Sequence, residues 1–167
     1  TIVFKGITDQ IINAVAPEGT EVFYDVIMNN NFTTSVSNNL IASGDLLVEV
    51  GKMITISADD YIQVNNDLTV DGTLTVLNDG SLIQVNDSGV NTGNITYERT
   101  TSGSALDYVY WSSPTESSVT PTSGHVYIWN PTQSNPNGGY GYWNLALGTS
   151  MESGKGYIMR DVFSRTF

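Results

Sequence analysis

The chain has 167 residues, with six basic and 17 acidic side chains and a formal net charge of -11. So acidic a surface repels phosphate, which argues against nucleic acid and anionic membranes as partners. The chain has no Cys, which excludes disulfides, thiolate zinc sites and cysteine nucleophiles. Asn, Thr, Ser and Gly number 16, 19, 17 and 16, a composition typical of β-strands and tight turns. No apolar run reaches the roughly 20 residues of a membrane span, so we expect no membrane insertion.

A repeat marks the first part of the chain. Residues 61–66 (YIQVNN) recur as residues 82–87 (LIQVND), an offset of 21. Leu46 and Val48 recur as Leu68 and Val70, an offset of 22. Periods of roughly 20–22 residues are typical of solenoids, in which each repeat stacks on the one before it.

Within each period, short apolar bursts alternate with polar residues, as they do in half-buried strands. Three such strands and three turns fill about 21 residues. We therefore predict an all-β fold in which a parallel β-helix-like solenoid of about four coils occupies residues 1–96. Asp71-Gly72 and residues 78–80 (NDG) would also suit a meander of antiparallel hairpins, although the repeat favours the solenoid.

The composition changes after the repeat. Eight aromatic residues, including all three Trp, lie between Tyr108 and Trp143, and four of the five Pro fall in the same region. We predict a smaller aromatic-rich β unit over residues 97–167. The sequence has no initiator Met and ends in the middle of a pattern, so we expect it to be an excerpt of a longer protein, with this unit cut short.

Several motifs in a fixed order carry a resemblance. They are residues 4–12 (FKGITDQII), 66–76 (NDLTVDGTLTV), 78–85 (NDGSLIQV), 91–99 (NTGNITYER), 110–114 (YWSSP) and 154–160 (GKGYIMR). In this order they resemble a module of large, adhesin-like surface proteins of the Bacteroidota that are exported by the type IX secretion system. The resemblance covers nearly the whole chain.

The resemblance implies an extracellular location, on the bacterial cell surface, and a non-enzymatic structural or adhesive role. The partners it implies are other segments of the same long chain, surface glycans or other surface proteins. It implies no catalytic residues and no cofactor. The alternatives from other classes are a carbohydrate-binding module and, less favoured, part of a β-helical polysaccharide-degrading enzyme.

A catalytic triad would have to use His125, the only His, with Asp107 or Asp161. His125 begins an alternating apolar run, which favours a structural position at the start of a strand. Paired carboxylates could hydrolyse glycosidic bonds, and a lyase would need basic side chains. The repeat region offers only Lys5, Lys52 and Arg99. We therefore predict that the chain is not an enzyme.

Calcium is a candidate ligand because carboxylates recur at the predicted turns. They are Asp59, Asp60, Asp67, Asp71, Asp79 and Asp87. The EF-hand pattern is absent, and Asp is also a common turn residue that tolerates left-handed backbone, which is the favoured interpretation. Amide side chains could stack between coils, and the candidates for this structural role are Asn65, Asn66, Asn78 and Asn86.

The aromatic residues of the second unit have two interpretations. A small β unit with few aliphatic residues needs an aromatic core, and this interpretation is favoured. The rings could instead stack on sugars, and the candidate glycan-binding residues are Trp111, Trp129, Trp143, Tyr127 and Tyr142.

Overall fold

A computed structural model describes residues 1–13, 20–30, 33–36, 38–116, 118–160 and 162–167. Every regular element in these ranges is a β-strand, which confirms the all-β prediction. The chain divides into two compact units, Thr1–Arg99 and Thr100–Phe167. Within the described ranges, no helix has the length and apolar character of a membrane span.

The first unit is a three-sided parallel solenoid of about four coils, as the repeat predicts. Three strands form each of the first three coils, while in the fourth the first two strands merge into one. In chain order the strands are β1 (Ile2–Gly6), β2 (Gln10–Ile12), β3 (Thr20–Phe23), β4 (Val26–Asn30), β5 (Thr33–Val36), β6 (Asn39–Ala42), β7 (Leu46–Val48), β8 (Met53–Ile56), β9 (Tyr61–Val64), β10 (Leu68–Val76) and β11 (Ser81–Gln84), followed by β12 (Asn91–Thr100), which begins a further coil.

Successive coils pair in parallel on each side of the solenoid. On the first side Ile2, Val26, Leu46, Leu68 and Asn91 form one column, so successive coils take 24, 20, 22 and 23 residues. The second side stacks β2, β5, β8 and the last part of β10, and the third stacks β3, β6, β9 and β11. All these pairings are parallel, which excludes the hairpin meander.

Stacked aliphatic side chains fill the solenoid. Leu46, Ile54, Ile56 and Ile62 are almost fully buried, and each has a neighbour of similar size in the next coil. Alternation places these residues inward and the polar residues between them outward. Fully burying each such side chain contributes about 1.5–3 kcal/mol.

The register of one repeat differs from the sequence match. The recurrence of YIQVNN pairs Tyr61 with Leu82, whereas the structure pairs Ile62 with Leu82, an offset of 20. A shift of one residue moves every side chain to the other face of a strand. Ile83, which the sequence match equates with the buried Ile62, therefore points outward and is 42% exposed. The sequence match aligns similar residue types, whereas the packing of side chains sets the register of the strands.

Gly72 lets β10 continue through a corner where the coil before it makes a longer turn. A Cβ at Gly72 would lie 2.3 Å from the carbonyl oxygen of Lys52 and 2.4 Å from that of Glu49. These distances are far inside van der Waals contact, so only glycine fits at this corner. Asp71-Gly72 is thus a close approach between coils, not a hairpin turn.

Carboxylates link successive coils at one corner. Asp25 Oδ1 accepts from the backbone N–H of Asp45 at 3.2 Å, and Asp45 Oδ1 accepts from that of Asp67 at 3.2 Å. Asp67 Oδ1 continues the column by accepting from the N–H of Val90 at 2.8 Å. By contrast, Asn65 accepts from Gln63 in its own coil, and Asn86 accepts from Ser88 in its own turn.

The last residues of the first unit close its final turn. The Arg99 guanidinium donates to the carbonyl oxygens of Leu77 and Gly80, both at 2.9 Å. It also lies 5.0 Å from the ring centroid of Tyr97, which is buried. These contacts explain why the unit extends to residue 99, three residues beyond the predicted boundary at 96.

The second unit is built on an antiparallel sheet. Its strands are β13 (Tyr108–Trp111), β14 (His125–Ser134), β15 (Tyr140–Leu145), β16 (Tyr157–Arg160) and, outside this sheet, β17 (Ser164–Thr166). The sheet order is β13-β16-β14-β15. One face is covered by loops and forms the core, whose buried members are Trp111, Val126, Ala146, Met151, Tyr157 and Met159.

Candidate functional site

The other face of the antiparallel sheet is open and carries aromatic side chains. Residues directly opposite each other in neighbouring antiparallel strands share a face. Tyr110, Ile158, Tyr127 and Leu145 form one such row across all four strands. Tyr108 lies on the same face because it is two residues from Tyr110 along β13. By the same alternation Arg160 and His125 also lie on this face, two residues from Ile158 and Tyr127. The open face is defined by its apolar and aromatic members, which are Tyr108, Tyr110, Tyr127, Trp129, Trp143, Leu145 and Ile158.

One pocket of the open face has a volume of about 580 Å³. It is lined by Tyr110, Trp129, Trp143, Lys155 and Gly156, and we call it the tryptophan pocket. Trp129 and Trp143 face each other across β14 and β15, with ring centroids 5.2 Å apart and ring planes inclined by 60°. Tyr110 is 75% exposed, so the pocket opens to solvent. Two inclined indoles and a free phenol thus surround one hollow.

Two glycines shape the tryptophan pocket. The Trp129 indole lies against Gly141, where a Cβ would come within 2.3 Å of the Trp129 Cζ2 atom. Gly141 also has a φ of 100°, a left-handed conformation that favours glycine. Gly156 has open space where a Cβ would stand. Gly141 therefore allows the indole to pack against the backbone, and Gly156 leaves the pocket unfilled.

An ion pair lies beside the pocket. Lys155 Nζ is 2.7 Å from Glu152 Oε1, and the two side chains are 43% and 70% exposed. The hydrogen bond to Glu152 raises the pKa of the Lys155 ammonium above its ordinary value. The buried Tyr157 anchors this loop, because its hydroxyl oxygen accepts from the Glu152 N–H at 3.0 Å. The pair therefore offers a hydrogen-bond donor and an acceptor from a tethered loop.

A second pocket, of about 330 Å³, adjoins the first. It is lined by Tyr108, Tyr127, Trp143 and Ile158, and we call it the tyrosine pocket. The rings of Tyr108 and Tyr127 lie with centroids 6.3 Å apart. Trp143 contributes to both pockets, so the two hollows are neighbours on the open face.

A comparison with protein-family models identifies the group of proteins to which the chain is related. The model for a domain of unknown function, DUF8693, matches residues 13–166, nearly the whole length. The chain belongs to this family. No curated protein and no solved structure matches the chain. The description of the DUF8693 family states no activity, so the argument for function rests on the open face.

The structure brings together three of the five candidate glycan-binding residues, Tyr127, Trp129 and Trp143. The prediction that Trp111 binds glycan is wrong, because this residue lies on the core face and is only 7% exposed. Its indole N–H donates to the Val162 carbonyl at 3.0 Å. Tyr142 lies one residue from Trp143 and therefore on the opposite face of β15.

The open face also holds residues that the candidate set lacks. Tyr108 and Tyr110 alternate with Val109 and Trp111, so the period-2 pattern of this short run could have separated its two faces. Lys155 and Gly156 carry no comparable signal. Their place in the pocket depends on the pairing of β16 with β14, which is set by contacts distant in sequence.

The structure gives Asp107 a local role. Its carboxylate accepts from the Ser104 backbone N–H and hydroxyl, both at 2.8 Å, and these bonds lower its pKa below the ordinary value. His125 begins β14, opposite Arg160. Asp161, the other proposed triad member, lies outside the described residues.

The turn carboxylates were the candidate calcium ligands. In the part of the chain that the structure describes, no group of three or more acidic or His side chains is placed to hold a metal ion. Asp59 and Asp79 each have a φ of 64°, the left-handed conformation that Asp adopts in turns. Asp67 belongs to the column of carboxylates that accept backbone N–H groups.

Proposed function

We propose that this DUF8693 chain is a non-enzymatic structural and adhesive segment of a larger extracellular surface protein. In this proposal the solenoid is the structural part, and the open face is the adhesive surface. The observation that carries the proposal is the open face itself. The second unit already has a core on the other side of the same sheet, so these rings are not needed to build one.

Exposed aromatic residues support a binding role. Tyr110, Trp129 and Trp143 keep 75%, 44% and 36% of their surface in solvent, although each is a large ring. Contiguous exposed apolar surface is uncommon on soluble proteins and marks interaction sites. Trp and Tyr are also the residues that contribute most of the binding energy at interfaces.

The solenoid supports the structural role. Its strands pair in parallel from coil to coil, so backbone hydrogen bonds run along the axis of the stack. The inward positions form aliphatic columns, and the column of Asp25, Asp45 and Asp67 adds side-chain bonds between coils. In a stack of this kind each coil contacts only its neighbours, so added coils extend the chain in one direction, which suits a spacer in a long surface protein.

An adhesion assay tests this proposal. Beads coated with the chain are placed on glass carrying purified glycans or extracellular matrix proteins. Wild-type beads should adhere to at least one surface, and Trp129→Ala beads should not. Tyr140→Ala is the matched control, because Tyr140 is 77% exposed but lines neither pocket. Adhesion unchanged by Trp129→Ala, or no adhesion to any surface, would contradict the proposal.

A carbohydrate-binding module is the second candidate, favoured by the rings around the tryptophan pocket. Sugar rings present an apolar C–H face that stacks on indole and phenol rings, as apolar surface does on aromatic faces generally. The third candidate, a β-helical polysaccharide-degrading enzyme, predicts release of reducing ends when the chain is incubated with a polysaccharide. Such turnover would overturn the non-enzymatic proposal.

A further inference from the structure

We infer that the open face binds an uncharged oligosaccharide across two neighbouring subsites, the tryptophan pocket and the tyrosine pocket. The inference rests on the proposed binding function and specifies its ligand class. Trp143 contributes to both pockets, so one ligand that fills both must pass this ring. At about 580 and 330 Å³, both hollows lie in the range of roughly 300–1,000 Å³ that ligand pockets occupy.

The geometry of the rings favours a soluble oligosaccharide over the flat surface of a crystalline polysaccharide as the ligand. A platform for crystalline polysaccharide needs coplanar rings, because the sugars of such a surface lie in one plane. Trp129 and Trp143 are inclined by 60°, so one plane cannot stack on both. A single sugar can stack on one indole while its edge contacts the other. The tryptophan pocket therefore suits one sugar unit, with the next unit directed along Trp143.

Charge complementarity selects an uncharged ligand. Residues 100–167 contain three basic and four acidic side chains, a net charge of -1. The cation beside the tryptophan pocket, Lys155, is already paired with Glu152 at 2.7 Å. Arg160, which also lies on the open face, is half-buried and lines neither pocket.

The same ion pair favours a hydroxylated ligand over an apolar peptide. Lys155 is a donor and Glu152 an acceptor, and a sugar hydroxyl can act as both. Both side chains are exposed enough to meet a ligand, and the hydrogen bond from Glu152 N–H to Tyr157 tethers their loop. Aromatic walls with a few polar groups at the edge are the usual composition of a small-molecule site.

Titration calorimetry with oligosaccharides tests the inference on the full chain. The probes are neutral gluco-, manno- and galacto-oligosaccharides, from single sugars to tetrasaccharides, with oligogalacturonates as the charged comparison. At least one neutral series should bind, with affinity rising about tenfold from the single sugar to the disaccharide or trisaccharide as the second subsite fills. Tryptophan fluorescence should change in the same titrations, since Trp129 and Trp143 line the site.

Three variants assign the two subsites. Gly156→Val places a side chain in the open space of the tryptophan pocket, at a residue without left-handed strain, and should abolish binding at every length. Trp129→Ala should do the same. Tyr108→Ala removes one wall of the tyrosine pocket and should weaken only the longer ligands, by about tenfold. Tyr140→Ala, which lines neither pocket, should bind as wild type does.

The outcomes separate this inference from the proposed function. Circular dichroism first confirms that each variant is folded. Affinity independent of ligand length would overturn the two subsites, and binding of oligogalacturonates alone would overturn the uncharged ligand. If no oligosaccharide binds while Trp129→Ala still abolishes adhesion to a protein-coated surface, the saccharide inference fails and the adhesive function stands.

Discussion

The solenoid and the antiparallel unit use β-strands in opposite ways. The solenoid turns one face of every strand inward, fills its interior with aliphatic columns, and carries a net charge of -10 over residues 1–99. The antiparallel sheet buries one face and leaves the other aromatic, with a net charge of -1 over residues 100–167. Its exposed rings include Tyr110 and Trp129. Most of the acidic charge of the chain thus belongs to the solenoid, and the proposed binding surface lies on the unit whose charges nearly balance.

The difference shows which exposed residues carry information. On the solenoid, exposed apolar residues such as Ile7 and Val50 lie in turns outside the strands, and exposed apolar residues of this kind are normal for a protein surface. On the antiparallel sheet, the exposed rings are neighbours in register and enclose two pockets. Exposure becomes an argument for binding only when pairing between strands gathers the exposed side chains.

The largest expected effect contrasts the two faces of the antiparallel sheet. Trp111→Ala should lower the free energy of unfolding by about 3–5 kcal/mol, because it removes a buried indole from the core. Trp129→Ala should lower it by only about 1 kcal/mol, since it removes an exposed ring and its contact with Trp143. Urea denaturation followed by circular dichroism measures both. Equal losses would show that both faces belong to one core, and the distinction between them would be wrong.

A second prediction tests the register of the solenoid. Ile62→Ala should lower the free energy of unfolding by about 2–5 kcal/mol, because Ile62 is fully buried. Ile83→Ala, the same substitution at the position that the sequence match equates with Ile62, should change it by less than about 0.5 kcal/mol. Urea denaturation again gives both values. A larger loss of unfolding free energy for Ile83→Ala than for Ile62→Ala would contradict the observed register. It would favour the offset of 21, which places Leu82 on the outer face.

Much of the fold can be predicted from the sequence, because a stack of coils repeats its pattern. The columns of Leu46 with Leu68 and of Val48 with Val70 are the pairs that the offset of 22 predicts. The offset of 21 misplaces β11 because the coils differ in length, and similar letters do not show where a turn gains or loses a residue. Gly72 illustrates the reason, since it shortens a corner and its tight contact is invisible in the sequence.

The candidate site can be predicted only in part. The abundance of rings predicts that aromatic residues matter, and three of the five chosen residues do lie on the open face. Trp111 does not lie there. Alternation along β13 predicts only that Tyr110 and Trp111 point to different faces of the sheet, and the packing of loops decides which of the two faces is covered. Lys155 and Gly156 enter the pocket through long-range pairing, for which a single sequence has no local signal.

The smallest expected effect concerns the carboxylate column, a feature of the solenoid that the antiparallel sheet lacks. The Asp45 N–H and the Thr1 hydroxyl donate to Asp25 and hold its pKa below the ordinary value of 3.8. The folded state therefore favours the ionised carboxylate, which stabilises the fold above pH 3.8, and this stabilisation is lost as the pH falls through the lower, folded-state pKa. In Asp25→Asn the side chain cannot titrate, so stability should fall less steeply on acidification than in wild type. Thermal melts between about pH 2 and 6 measure the difference.

Asp71→Asn removes the same charge from an exposed position and serves as the control. An identical pH profile for wild type and Asp25→Asn would show that the column does not contribute to the stability of the coils.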